Sequence, residues 1–130
     1  MRPMHPIAIV AAILAAVIHT WFFAMESLWF MRPSVWRRFG LQSEGDAKVV
    51  RPWAYNQGFY NLFLAAATFA GVVLTLIGQV DAGRGIVLAT CGSMIGAGVV
   101  LYLTNRSFLR AAAIQLLPAL VTVVSIIALR

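Results

Sequence analysis

Long apolar stretches alternate with short polar breaks along this chain, and the stretches have the length of membrane-crossing helices. Such a helix needs about 20 mostly apolar residues, and four segments qualify: about Ile7–Met31, Trp53–Ile77, Ile86–Thr104 and Phe108–Leu129. The first break contains Arg32, Pro33, Arg37, Arg38, Glu44, Asp46, Lys48, Arg51 and Pro52, and the second is Gly78–Gly85. The third is only about Asn105–Ser107, so spans three and four are expected to form a tight antiparallel hairpin. Pro52 predicts the start of the second helix, and Pro33–Phe39 predicts a short helix lying on the membrane surface. No repeat is visible and no segment resembles a separate soluble domain. The expectation is therefore all-α: one transmembrane domain, residues 1–130, folded as an antiparallel up-down four-helix bundle.

Arg2 and His5 precede the first apolar run, as in a signal peptide. However, no small-residue cleavage site follows at the usual distance, and the run continues to Met31. It is too long for a signal sequence core and is read as a transmembrane helix.

Composition excludes the soluble alternatives. Apolar residues make up 62% of the chain and charged residues 11%, against about 45–50% and about 25% in ordinary globular domains. Cys91 is the only cysteine, which rules out an intramolecular disulfide and any cysteine metal cluster. The net charge of +6, in so apolar a chain, marks loops that face an anionic leaflet and not nucleic acid. Arg32, Arg37, Arg38, Lys48, Arg51, Arg106 and Arg110 fall in or beside the first and third loops. Arg2, Arg84 and Arg130 fall at the termini and the second loop. Seven cations against three predict that the first and third loops are cytoplasmic and both termini non-cytoplasmic. Trp29, Trp36 and Trp53 stand where interfacial aromatics belong. The basic first loop is a topology signal, and it is also a site where an anionic head group or acidic partner could be recruited.

Polar residues inside a membrane are costly, so their positions carry the functional information. His19 and Glu26 are seven apart, about two helical turns, and share a face about 10 Å apart along the axis. Asn56, Gln57, Tyr60 and Asn61 open the second span within an arc of about 140°, with Gly58 facing away. Leu64, Thr68, Gly71 and Thr75 continue that side, which is expected to face the bundle. Gln115, Pro118, Thr122 and Ser125 share an arc of about 80° on the fourth span. Tyr102 lies at the cytoplasmic end of the third, where Gly92 and Gly96 form a small-xxx-small patch for close helix contact. The expected site is a polar pocket in the cytoplasmic half, lined by Glu26, Asn56, Gln57, Tyr60, Asn61 and Gln115, with Tyr102 nearby and His19 as its floor.

At these residues the chain resembles a family of small bacterial four-helix integral membrane proteins, catalogued as domain of unknown function 1304. The resemblance rests on His19-x6-Glu26, on Asn56-Gln57-Gly58-Phe59-Tyr60-Asn61 and on Gln115-x-x-Pro118-Ala119. It implies a multi-pass protein of the bacterial inner membrane and brings no assigned activity. A looser likeness to DoxX-type membrane proteins rests on size and layout alone.

Each feature also has a simpler reading. Glu26 either snorkels to pair with Arg32 or Arg51, or is a desolvated carboxyl among amide and phenol donors. His19 is either a structural hydrogen-bonding group or a proton carrier. The amides are interhelical glue or ligand contacts. One histidine with one carboxylate makes no transition-metal site, and no cofactor motif occurs. Three functions follow. The first is binding or carrying a lipid or small amphipathic molecule in the polar pocket. The second is acid/base chemistry on a lipophilic substrate, with His19 and Glu26 as candidate catalytic residues. The third is an accessory role, with a homo-oligomer or a larger membrane complex as partner.

Overall fold

The computed structural model describes residues 2–129, with helices and no strand among the described residues. Helix α1 (Pro6–Phe23) starts on a proline, whose missing amide costs nothing in the first turn. The Ile7 amide there donates to His5 Nδ1 at 3.2 Å. α1 passes directly into a π-helical turn, Ala24–Leu28, in which the Trp29 amide donates to the Ala24 carbonyl at 2.9 Å. Next come α2 (Pro33–Trp36) and a 3-10 turn, Arg37–Phe39, which ends at Gly40 with φ 80°. Helices α3 (Glu44–Leu76) and α4 (Val80–Thr104) follow. A 3-10 turn at Arg106–Phe108 leads into α5 (Leu109–Ala128). The segments Pro6–Leu28, Glu44–Leu76, Val80–Thr104 and Arg106–Ala128 are each long and apolar enough to cross a membrane. The chain reads as a multi-pass membrane protein.

The second long helix starts earlier than expected. Ser43 caps it: its Oγ accepts from the Asp46 amide at 3.1 Å and its carbonyl from the Ala47 amide at 3.1 Å. Glu44 and Asp46 occupy the first turn, where negative charge complements the helix dipole, and Glu44 pairs with Lys48 at 3.4 Å. Pro52 is therefore inside α3 and does not start it. Its ring removes one backbone hydrogen bond from a helix whose start is already secured upstream. The third long helix likewise begins at Val80, ahead of Ile86. Gly78 ends α3 at φ 93°, a left-handed conformation that only glycine adopts without strain.

The chain divides into two compact units, residues 1–18 with 64–130, and residues 19–63. The core of the first draws on four helices: Ala8, Ala12 and Ala15 of α1, Val72 of α3, Val87, Cys91 and Met94 of α4, and Ala119 and Ile126 of α5. Most of these side chains are small. Larger apolar residues point outward, among them Val10, Leu14, Val17, Val100, Leu117 and Ile127. That distribution suits a lipid surround, where association rests on close packing and not on expelling water. Buried hydroxyls satisfy themselves locally. Thr68 Oγ1 lies 2.7 Å from the Leu64 carbonyl and 2.8 Å from Thr90 Oγ1, and Thr75 and Thr122 donate back to Gly71 and Pro118.

Helix approach depends on glycines other than the expected pair. A Cβ on Gly83 would strike the Thr75 side chain and the Gly71 carbonyl of α3, and one on Gly98 would lie 2.9 Å from Leu116 Cβ of α5. Gly92 and Gly96 are exposed, and an added Cβ at either meets nothing within 4 Å. The buried side of α4 runs Gly83, Val87, Thr90, Cys91, Met94 and Gly98, and Gly92 and Gly96 fall outside it. Gly83→Val is expected to lower stability in detergent by about 1–3 kcal/mol through overpacking. Gly92→Ala should leave it unchanged or slightly higher. Thermal unfolding of the purified variants measures both.

Candidate functional site

The second unit carries a buried polar pair. Glu26 sits in the π-helical turn at 8% exposure, and Asn61 lies on α3 at 4%. Asn61 Nδ2 donates to Glu26 Oε1 at 3.1 Å. The other carboxyl oxygen, Oε2, is buried and has no hydrogen-bond partner among the described residues. A buried polar atom left unpaired costs about 1–3 kcal/mol, more when charged.

Three features hold the turn against α3. Ser27 Oγ donates to the Tyr55 carbonyl at 2.8 Å. Gly58 removes the side chain that would otherwise collide with Ser27 and lie 3.1 Å from Glu26 Cβ. Phe23 meets Phe59 edge-on, with ring centroids 5.1 Å apart, and Phe59 also touches Tyr55 at 5.1 Å. The π-turn inserts one extra residue into the α1 ladder, a device common where a helix must aim a functional side chain. A second cluster, Phe30, Trp36, Ala47 and Ala54, packs α2 and the loop before it onto the start of α3.

The expected pocket residues do not share one environment. His19, Glu26 and Asn61 are buried. His19 packs edge-on against Phe22 at 5.2 Å. Asn56 and Gln57 are exposed and Tyr60 is 61% exposed, so these three leave the inward arc expected of α3, whereas Asn61, Thr68, Gly71 and Thr75 are buried on it. The buried side runs Ala54, Gly58, Asn61, Ala65 and Thr68, in alternating steps of four and three. Small residues define it because helices approach there, and Gly58 faces the turn. Tyr102 on α4 and Gln115 on α5 are half-buried and belong to the other unit. Glu26 forms no ion pair with Arg32 or Arg51 among the described residues, since its carboxyl is turned to Asn61. Arg32 instead lies over the Trp29 ring, 5.1 Å from its centroid.

Ser27 is a lock that no sequence pattern marks, and Gly58, expected to face away, is instead the contact point. A glycine amid Asn-Gln-Gly-Phe-Tyr-Asn is the available signal, since a small residue in a membrane helix permits close backbone approach. Two surface grooves also emerge, and neither is lined by a residue of the expected pocket. One, of about 520 Å³ in the first unit, is bordered by Arg2, Met4, His5, Arg84, Ile126 and Leu129. The other, of about 320 Å³ in the second unit, is bordered by Trp21, Met25, Trp29, Arg32, Ser34 and Arg38. Among the described residues no three His, Cys, Asp or Glu side chains gather as a metal would require.

The family described as "Protein of unknown function (DUF1304)" matches residues 13–127. No curated protein and no solved structure matches the chain.

The pair's energetics are testable by a double-mutant cycle. Asn61→Leu should destabilise the protein by about 1–3 kcal/mol, because it leaves both carboxyl oxygens unpaired. Adding Glu26→Leu should recover most of that loss, as measured by chemical denaturation in detergent.

Proposed function

Since the chain belongs to the DUF1304 family, whose description assigns no activity, its function is read from its own polar residues, and we propose that it binds or carries a small amphipathic or lipid-like molecule at Glu26 and Asn61. The observation that carries this reading is the buried, unpartnered Glu26 Oε2 beside an oxygen already held by Asn61. An acceptor in that position suits a ligand with a hydroxyl or cationic donor. The many apolar side chains on the outer faces of the helices suit its tail.

In this reading the helices alternate in direction across a bacterial inner membrane, with both termini outside. The excess of cations in the first and third loops supports that orientation. It puts Glu26, a few residues before Arg32, in the cytoplasmic half, so the ligand enters from that leaflet. Tyr60, Asn56 and Gln57, exposed on α3, are polar groups an approaching head group would meet first.

Protein purified in mild detergent should retain a co-purifying small molecule, detected by native mass spectrometry and by solvent extraction. Glu26→Gln, which alters the group that meets the ligand, and Asn61→Ala, which frees that group from its place, should each reduce its occupancy by about tenfold, the worth of about one hydrogen bond. A wild-type protein that is always empty, or variants that retain the molecule equally, would refute the reading.

A further inference from the structure

The groove of the second unit is not lined by Glu26 or Asn61 and has a different chemistry. One wall is apolar: Trp21 near the end of α1, Met25 in the π-turn and Trp29 just after it, at steps of four. The other end is cationic and hydroxylic: Arg32, Ser34 and Arg38. No carboxylate lines it. The two ends are joined by stacked contacts. The Arg32 guanidinium lies over Trp29 at 5.1 Å, and Trp29 meets Trp21 edge-on with centroids 5.4 Å apart.

Position adds to composition. Trp21 is half-exposed within the stretch Pro6–Leu28, which is long and apolar enough to cross a membrane, and Arg32 follows just beyond its end. The groove therefore passes from hydrocarbon depth to the level of phosphates, where indole rings concentrate. Pro33 turns the chain into α2 there, which brings Ser34 and Arg38 back beside Arg32. Arg32 and Arg38 enter no ion pair among the described residues, so both forks stay available for phosphate oxygens.

We infer that this groove seats an anionic phospholipid, with its phosphate on Arg32, Arg38 and Ser34 and an acyl chain along Trp21 and Met25. A free phosphate would satisfy the cations and leave the apolar wall uncovered, whereas a zwitterionic lipid would cover the wall and bring its own cation to the arginines. An anionic lipid satisfies both ends.

Quenching of tryptophan fluorescence by brominated lipids tests this on the full chain in vesicles. Brominated phosphatidylglycerol should quench at roughly tenfold lower mole fraction than brominated phosphatidylcholine, as two interfacial arginines can supply. The double variant Arg32→Gln/Arg38→Gln should remove that preference, and Arg32→Lys/Arg38→Lys should keep most of it. Glu26→Gln should leave it intact, which separates this site from the ligand proposed for Glu26 and Asn61. Equal quenching by the two lipids in the wild-type protein, or an undiminished preference in the double glutamine variant, would overturn the inference. Relief of quenching by millimolar inorganic phosphate would overturn it too, by assigning the groove to the free anion.

Discussion

The hydrogen bond from Asn61 to Glu26 fixes the geometry on which the rest of the second unit depends. It ties the π-helical turn to α3, and the neighbouring contacts are arranged to permit it. Gly58 leaves room for the turn, Ser27 anchors it to the Tyr55 carbonyl, and Phe23 and Phe59 close over the joint. Without the extra residue of the π-turn, Glu26 would point along a different radius of the helix. The bond satisfies one carboxyl oxygen and leaves the other buried. A buried acceptor with no protein donor is costly to maintain, and a ligand that supplies the donor is the functional reason offered for it.

The first unit follows a different logic, in which small residues are inside and bulky ones outside. Ala8, Ala12 and Ala15 of α1, and the glycines at 71, 83 and 98, let backbones approach closely enough for dispersion to hold helices together in an apolar solvent. Threonine hydroxyls within this packing return their hydrogens to nearby oxygens, so they add cohesion without demanding an outside partner. The contrast with Glu26 is chemical. A hydroxyl can bond back to its own helix, whereas the Glu26 carboxyl reaches across to Asn61 with one oxygen and leaves the other without a partner.

Much of this was legible in the sequence, for identifiable reasons. The four long helices follow from runs of apolar residues that no soluble domain could cover. Glu26 and Asn61 both belong to the polar set expected in the spans, but nothing in the sequence singles out their hydrogen bond from the other combinations. Helix ends were less legible. Pro52 is a strong local signal for a start, yet Ser43 and the acidic residues after it cap the helix earlier and outweigh it. Asn61, Thr68, Gly71 and Thr75 lie on the inward side of α3 as expected, but Asn56, Gln57 and Tyr60 do not, because at the start of that side small residues such as Ala54 and Gly58 mark the inward face by size. Likewise Gly92 and Gly96 matched a spacing rule but lie off the buried side of α4. The Trp21–Trp29–Arg32 groove was out of reach of periodicity, since it requires α2 to fold back after Pro33.

What meets Glu26 Oε2 decides whether the buried pair holds a ligand, and a high-resolution experimental structure of the protein extracted with its native lipids observes this directly. The prediction is non-protein density with a donor atom about 3 Å from that oxygen, in contact with the Asn61 side of the turn. A well-ordered Glu26 whose two oxygens are both bonded by protein side chains, with no foreign density beside them, would contradict it.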